Sequence, residues 1–313
     1  MIPSSNKSLL LGTAQWGWTV DRETAFRQLD AWLAAGYNCL DLATNYPINK
    51  NPGDFRKSEK IVQEYIQAHG LTNLDITLKI GSQDNMRSPD INLEPSFLLM
   101  MAMEYRRLFG ENLKGIMIHW DNREDEAAIA KTLEALASLQ ESEDLRPGLS
   151  GIRHPEFYLE ANQKFNLTFD IQFKHNIIQS DLQRYAAFFP KAKDEPKQHR
   201  FFAYGLNAGG IKLEGPYPAD STFLARAGDP DKVEPLLRQI REALPKWNTA
   251  FVRPPIRTMN HIGLIHAGLN STITGLILGF SSVAQLQGTL DFWRNLSTFD
   301  YDDVFADLQK RIQ

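Results

Sequence analysis

The sequence predicts an α/β fold, a (β/α)8 barrel of the TIM type over residues 1–313, with extended loops and a C-terminal helix. Three observations carry that expectation. Eight short apolar runs alternate with longer segments of helical period, the pattern of a parallel sheet built from βα units. A chain of 313 residues suits one large barrel, typically about 250 residues, plus insertions. Several runs also close on polar residues, and barrel active sites form at the C-terminal ends of the strands.

Leu9-Leu10-Leu11-Gly12 is the first strand. Residues 22–35 place Phe26, Leu29, Trp32 and Leu33 on one helical face, and Gly36 stops that helix. The second strand spans 38–41, and a helix over 58–69 opens at a serine and ends at Gly70. Residues 76–79 form the third strand, followed by a helix over 95–108 that stops at Gly110. The fourth strand covers 115–119 and leads into a helix over 124–140, rich in alanine and leucine. Residues 148–150 read as a short fifth strand, with Pro155 starting the next helix. Strands six and seven fall at 168–172 and 200–203. A helix over 259–269 precedes the eighth strand at 274–278, and helices over 282–293 and 302–312 complete the chain. Segments 47–57, 190–199 and 212–231 read as insertions, and long loops of that kind are commonly lids or binding loops.

Composition narrows the function. With 42% hydrophobic and 23% charged residues the chain has material for a sizeable core. Its 34 basic and 38 acidic residues are well mixed and leave a net charge of −4, which excludes a nucleic-acid footprint and a polybasic membrane surface. The opening Met-Ile-Pro-Ser-Ser-Asn-Lys has no apolar signal region, and no uncharged stretch approaches the roughly 18 residues of a membrane helix. The single cysteine, Cys39, cannot form a disulfide within the chain, which fits a reducing compartment and makes a cytoplasmic protein the expectation. Seven scattered histidines, with His261 and His266 lacking His-Glu-x-x-His spacing, predict no metal site. Neither a Gly-x-Gly-x-x-Gly turn, nor a Gly-x-Ser-x-Gly elbow, nor a P-loop occurs.

Four residues stand out at strand ends or just past them: Asp41, Tyr46, Lys79 and His119. Together they make a proton-donating set. A phenol near pKa 10 is a poor acid at neutral pH unless a neighbour stabilises its phenolate. An ammonium such as Lys79 does that, and Asp41 orients the lysine and balances its charge. A neutral His119 hydrogen-bonds and aligns a substrate oxygen, leaving Tyr46 as the general acid.

These residues, in this order on alternating βα units, resemble the aldo-keto reductase family. Leu11-Gly12-Thr13-Ala14-Gln15-Trp16-Gly17 is similar to its opening strand and turn. The segment from Gly36 through Asp41-Leu42-Ala43-Thr44-Asn45-Tyr46 resembles its Gly-x-x-x-x-Asp-Thr-Ala-x-x-Tyr pattern, and Ser58-Glu59 its next helix start. Lys79 and Ile118-His119-Trp120 resemble its lysine and histidine strand ends. The resemblance implies reduction of a small-molecule aldehyde or ketone, a sugar-type carbonyl among the options, with NADP(H) bound in extended form and NAD(H) left open.

It further implies cofactor contacts at Gly12, Thr13 and Asp41, at Ser150 and Gln172 on the nicotinamide amide, and at Tyr204 stacked on the ring. Gly279, Phe280, Ser281, Ser282 and Gln285 resemble the phosphate-binding turn, where a helix start offers backbone N–H groups. Two departures are visible. Gly151 replaces the asparagine that usually follows the serine, and no Lys or Arg between positions 279 and 291 grips a 2′-phosphate. Trp16, Tyr46, His119 and Trp120 are the expected substrate contacts. Two other readings stay open: a catalytically weak NADP-binding regulatory or redox-sensing protein of the same fold, and an aldolase using Lys79 as a Schiff base.

Overall fold

The apolar runs become eight parallel strands: β1 (Ser8–Gly12), β2 (Cys39–Ala43), β3 (Asp75–Ile80), β4 (Leu113–His119), β5 (Arg146–Ser150), β6 (Asp170–Lys174), β7 (Arg200–Tyr204) and β8 (Gly275–Leu278). Each pairs with its successor and β1 with β8, closing a barrel in chain order. The computed structural model describes residues 7–190, 198–217, 221–225 and 228–312. Most of the expected insertion at 190–199, parts of the one at 212–231 and the first six residues lie outside them.

The connecting helices are α1 (Arg22–Ala34), α2 (Lys57–His69), α3 (Pro95–Phe109), α4 (Glu126–Glu143), α5 (Pro155–Asn162), α6 (Thr222–Ala225), α7 (Pro230–Thr249), α8 (Met259–Gly268), α9 (Val283–Thr298) and α10 (Asp302–Ile312). Several starts carry side-chain caps, the expected Ser282 among them, whereas α2 begins at Lys57, ahead of the expected opening serine, with no side-chain cap at Arg56. Asp21 accepts from Thr24 N–H at 2.7 Å, Asp125 from Ala128 N–H at 3.0 Å, and the Ser282 hydroxyl from Gln285 N–H at 3.2 Å. The longest helix, α7, was not expected, because Pro235 and Pro245 lie inside it. Its signal was present nonetheless: Val233, Leu237, Ile240, Ala243 and Trp247 recur at three and four residues and are all buried. Between β6 and β7 the described residues hold a 3-10 run, Leu182–Phe188.

The main core lies between strands and helices, where outward residues such as Leu40, Leu42, Leu78, Ile116 and Ile118 meet the helical faces. Because side chains alternate along a strand, residues two apart share the barrel interior. That interior is layered. At the N-terminal mouth Asp75, Arg146, Asp170 and Arg200 form a chain of ion pairs. Above them sit Leu10, Phe202 and Ile277, with Cys39 and Tyr204 packed alongside. Two glycines make room: a Cβ at Gly148 would stand 2.5 Å from Met117 Cε, and one at Gly275 2.5 Å from the Phe202 ring. The polar residues of the predicted site form the top layer, at the C-terminal mouth.

Candidate active site

Asp41 on β2 and Lys79 on β3 are both buried, and their side chains meet at 2.5 Å. Gln172 on β6 donates its Nε2 to the other Asp41 oxygen at 2.6 Å. The Ser150 hydroxyl, ending β5, donates to Gln172 Oε1 at 3.3 Å. A polar wire therefore crosses the barrel mouth from Lys79 through Asp41 and Gln172 to Ser150. Thr13 secures Asp41 from behind, its hydroxyl donating to the Asp41 carbonyl at 2.9 Å.

Tyr46 comes from the β2–α2 turn rather than from a strand. Its N–H donates to Ala43 O at 3.1 Å, its carbonyl accepts Ser58 N–H at 3.3 Å, and its bond to Pro47 is cis. The Ser58 hydroxyl also donates to Thr13 O, so the start of α2 ties the β1 and β2 turns together. The Tyr46 ring lies 5.0 Å from the Lys79 ammonium, and its centroid is 6.3 Å from the His119 ring, edge to face. The four residues converge on one point at the mouth.

Burial sets their charge states. Burial lowers the Lys79 pKa, while Asp41 opposes that shift by charge and hydrogen bond. His119 is held well below the ordinary imidazole value, first by burial and then by the Lys79 charge, so it is neutral at neutral pH. Its Nδ1 has no hydrogen-bond partner among the described residues. Sequence reasoning passed over Thr44 and Asn45, between Asp41 and Tyr46. Both are buried, and neither the Thr44 hydroxyl nor the Asn45 amide has a partner among the described residues. Polar residues inside the Asp41-to-Tyr46 segment were the available signal.

The other predicted residues divide. Tyr204 stands at the top of β7, and burial raises its phenol pKa, with Tyr185 and Tyr46 adding to the shift. Gly12 ends β1 and Gly279 follows β8, with exposed Ser281 next to it. The Ser281 N–H and hydroxyl both donate to Gln285 Oε1, at 2.8 and 3.0 Å. Phe280 packs in the core, and its carbonyl accepts from Gln28 at 3.1 Å. Trp120 is half-buried beside His119, ring centroids 4.6 Å apart. Trp16 is the exception. It is fully buried and donates its indole N–H to Gln28 at 3.1 Å, so it packs the β1 turn against α1 rather than forming a substrate wall.

Among the described residues no group of three or more His, Cys, Asp or Glu is arranged to hold a metal, and no helix is long and apolar enough to cross a membrane.

Comparison with known proteins agrees with the geometry. A family model described as "Aldo/keto reductase family" matches residues 8–306. An aldo-keto reductase from Bacillus halodurans, solved in its holo form, superposes with a TM-score of 0.70 at 17% identity, over 98% of this chain and 92% of that one. An uncharacterized 11.2 kDa protein from the crtE 3′ region of Pseudescherichia vulneris is 37% identical over 76 residues, 24% of this chain and 74% of that protein.

Proposed function

This chain belongs to the aldo/keto reductase family, and from that premise we propose that it reduces an aldehyde or ketone to an alcohol, with Tyr46 as general acid and NADP(H), or NAD(H), as cofactor. The observation that carries the reading is the placement of the Tyr46 ring 5.0 Å from a buried lysine that is itself paired to Asp41.

The residues present fit a nicotinamide dinucleotide. Ser150 and Gln172 offer a buried hydroxyl and amide to its carboxamide, and Tyr204 offers a ring at the barrel mouth. The Ser282-capped start of α9, sixteen residues long, offers helix N–H groups to a phosphate. When bound, the reduced cofactor supplies the hydride. Neutral His119 donates a hydrogen bond to the carbonyl oxygen and sets its angle. As negative charge builds on that oxygen, Tyr46 gives up its phenolic proton, and the Lys79 ammonium stabilises the phenolate left behind. Asp41 pairs with Lys79, fixes it and opposes loss of its proton, which supports the tuning role over a Schiff base, a reaction that needs the free amine. In oxidation Tyr46 returns as base.

The unpartnered Asn45 amide beside Tyr46 favours a carbonyl flanked by hydroxyl groups, as in a sugar. The single cysteine supports action in the cytoplasm. Steady-state reduction of a panel of sugar, aliphatic and aromatic aldehydes with each nucleotide tests the reading. Tyr46→Phe should lower kcat by about 10²–10⁴-fold with nucleotide affinity nearly intact. A Tyr46→Phe enzyme with undiminished kcat would remove Tyr46 from the mechanism, and tight nucleotide binding without turnover of any carbonyl would favour a regulatory protein.

A further inference from the structure

The strand register brings together two residues that the sequence holds thirty-one positions apart. His119 pairs with Ser150 across β4 and β5, so the residues that follow them, Trp120 and Gly151, leave the barrel side by side. The Trp120 N–H donates to the Ser150 carbonyl at 2.9 Å. Both adopt left-handed backbone, with φ of +60° at Trp120 and +67° at Gly151. Glycine adopts that region freely, whereas tryptophan brings its Cβ against the following carbonyl, and such strain collects at functional sites.

The indole lies where a side chain at 151 would begin. A Cβ on Gly151 would stand 2.6 Å from Trp120 Cδ1 and 3.3 Å from its Nε1. The ring is half-buried, and its N–H has no acceptor among the described residues. One residue before Gly151, the Ser150 hydroxyl donates to Gln172 and the Gln172 amide donates to Asp41. Each of the two therefore spends one donor inside the protein, leaving Gln172 a single amide N–H for a bound carboxamide.

We infer that Trp120 takes the place of the side chain missing at position 151, donating its indole N–H to the carboxamide oxygen of the bound nicotinamide. The inference rests on the nicotinamide-dependent function proposed above. Trp120 then faces two ways: its ring lies against His119 on the substrate side, and its Cδ1–Nε1 edge serves the cofactor.

Equilibrium titration of NADPH, NADH and 2′-phospho-ADP-ribose, which lacks the nicotinamide, tests this without turnover. Trp120→Phe keeps an aromatic ring and removes the donor. It should weaken the intact nucleotides about five- to tenfold and leave the fragment unchanged. Gly151→Asn suits the backbone, since asparagine tolerates the left-handed region, but its side chain meets the indole and should weaken nucleotide binding alone. In the Trp120→Ala/Gly151→Asn double variant the asparagine fits, and affinity should return to within about threefold of the parent, a coupling that independent sites do not show. Additive losses in the double variant would overturn the inference. So would a Trp120→Phe protein that binds all three compounds like the parent and changes only the KM for carbonyl. If Gly151→Asn fails to fold, the Trp120→Phe titrations decide alone. A parent protein that binds neither nucleotide sinks the proposed function itself, whereas normal binding with an inert Trp120→Phe change sinks only the Trp120 assignment.

Discussion

Replacing Lys79 with methionine removes the charge on which the proposed proton donor depends and keeps much of the side chain's volume. The ammonium stands 5.0 Å from the Tyr46 ring. At an effective dielectric of about 20, a phenolate at that separation gains about 3 kcal/mol from the unit positive charge. That is about 2 pKa units, or roughly a hundredfold in any step limited by proton donation from Tyr46. Lys79→Met should therefore lower kcat about a hundredfold and move the alkaline limb of the pH–rate profile upward by about two units, toward the ordinary tyrosine value. The same change leaves Asp41 buried with Gln172 as its remaining side-chain donor, at a cost of about 3–5 kcal/mol in stability. The Asp41→Asn/Lys79→Met pair removes both charges, so it separates loss of the tuner from loss of the fold. Rates are read from consumption of reduced nucleotide across pH, with chemical denaturation run alongside. An alkaline limb that stays in place in a folded Lys79→Met enzyme would refute the electrostatic coupling of Lys79 to Tyr46.

At the turn proposed to bind phosphate, Gln285 is exposed and accepts from Ser281, and Gln285→Arg should shift the ratio of NADPH to NADH affinity about tenfold or more toward NADPH, as measured by paired titrations; an unchanged ratio would place the 2′-phosphate elsewhere. Arg146 bridges half-exposed Asp75 and buried Asp170 at the opposite mouth of the barrel, and is itself half-exposed. Arg146→Met should cost about 2 kcal/mol in denaturant unfolding, between the buried and surface cases, and leave nucleotide affinity alone. His175 and His266 stack at 4.4 Å, and burial lowers them to about 3 and about 4, with His266 lowering His175 further. Because the unfolded histidines, near 6.5, take up protons first, their neutral forms contribute fully above that pH. Stability should then fall by up to about 1.4 kcal/mol per pH unit for each histidine as pH drops toward 4. A double His175→Gln/His266→Gln variant should flatten that slope in urea titrations between neutral and acidic pH, and an unaltered slope would exclude the pair as its source.

The order of strands and helices was legible because each βα unit writes its own period into the sequence: alternating or continuous apolar runs for strands, three-and-four spacing for helices. Closure into a parallel barrel followed from the number of such units. The clustering of the proposed proton-donating residues was legible too, since Asp41, Lys79 and His119 end or lie near the end of apolar runs and Tyr46 follows within one turn. Where local signals conflicted, sequence reasoning failed. Two prolines hid α7, although its buried face kept helical spacing. Trp16 shared the aromatic character of a pocket residue, and only packing against α1 revealed it as core.

What tertiary structure alone decided was everything that depends on register between strands far apart in the chain. Gln172 reaches Asp41 across the barrel over 131 residues, the Asp75–Arg146–Asp170–Arg200 chain assembles four strand starts, and Trp120 fills the space over Gly151. Each residue carries its chemistry in the sequence. Its partner is set by where a closed sheet with a two-residue side-chain period turns it inward, and no local pattern encodes that register.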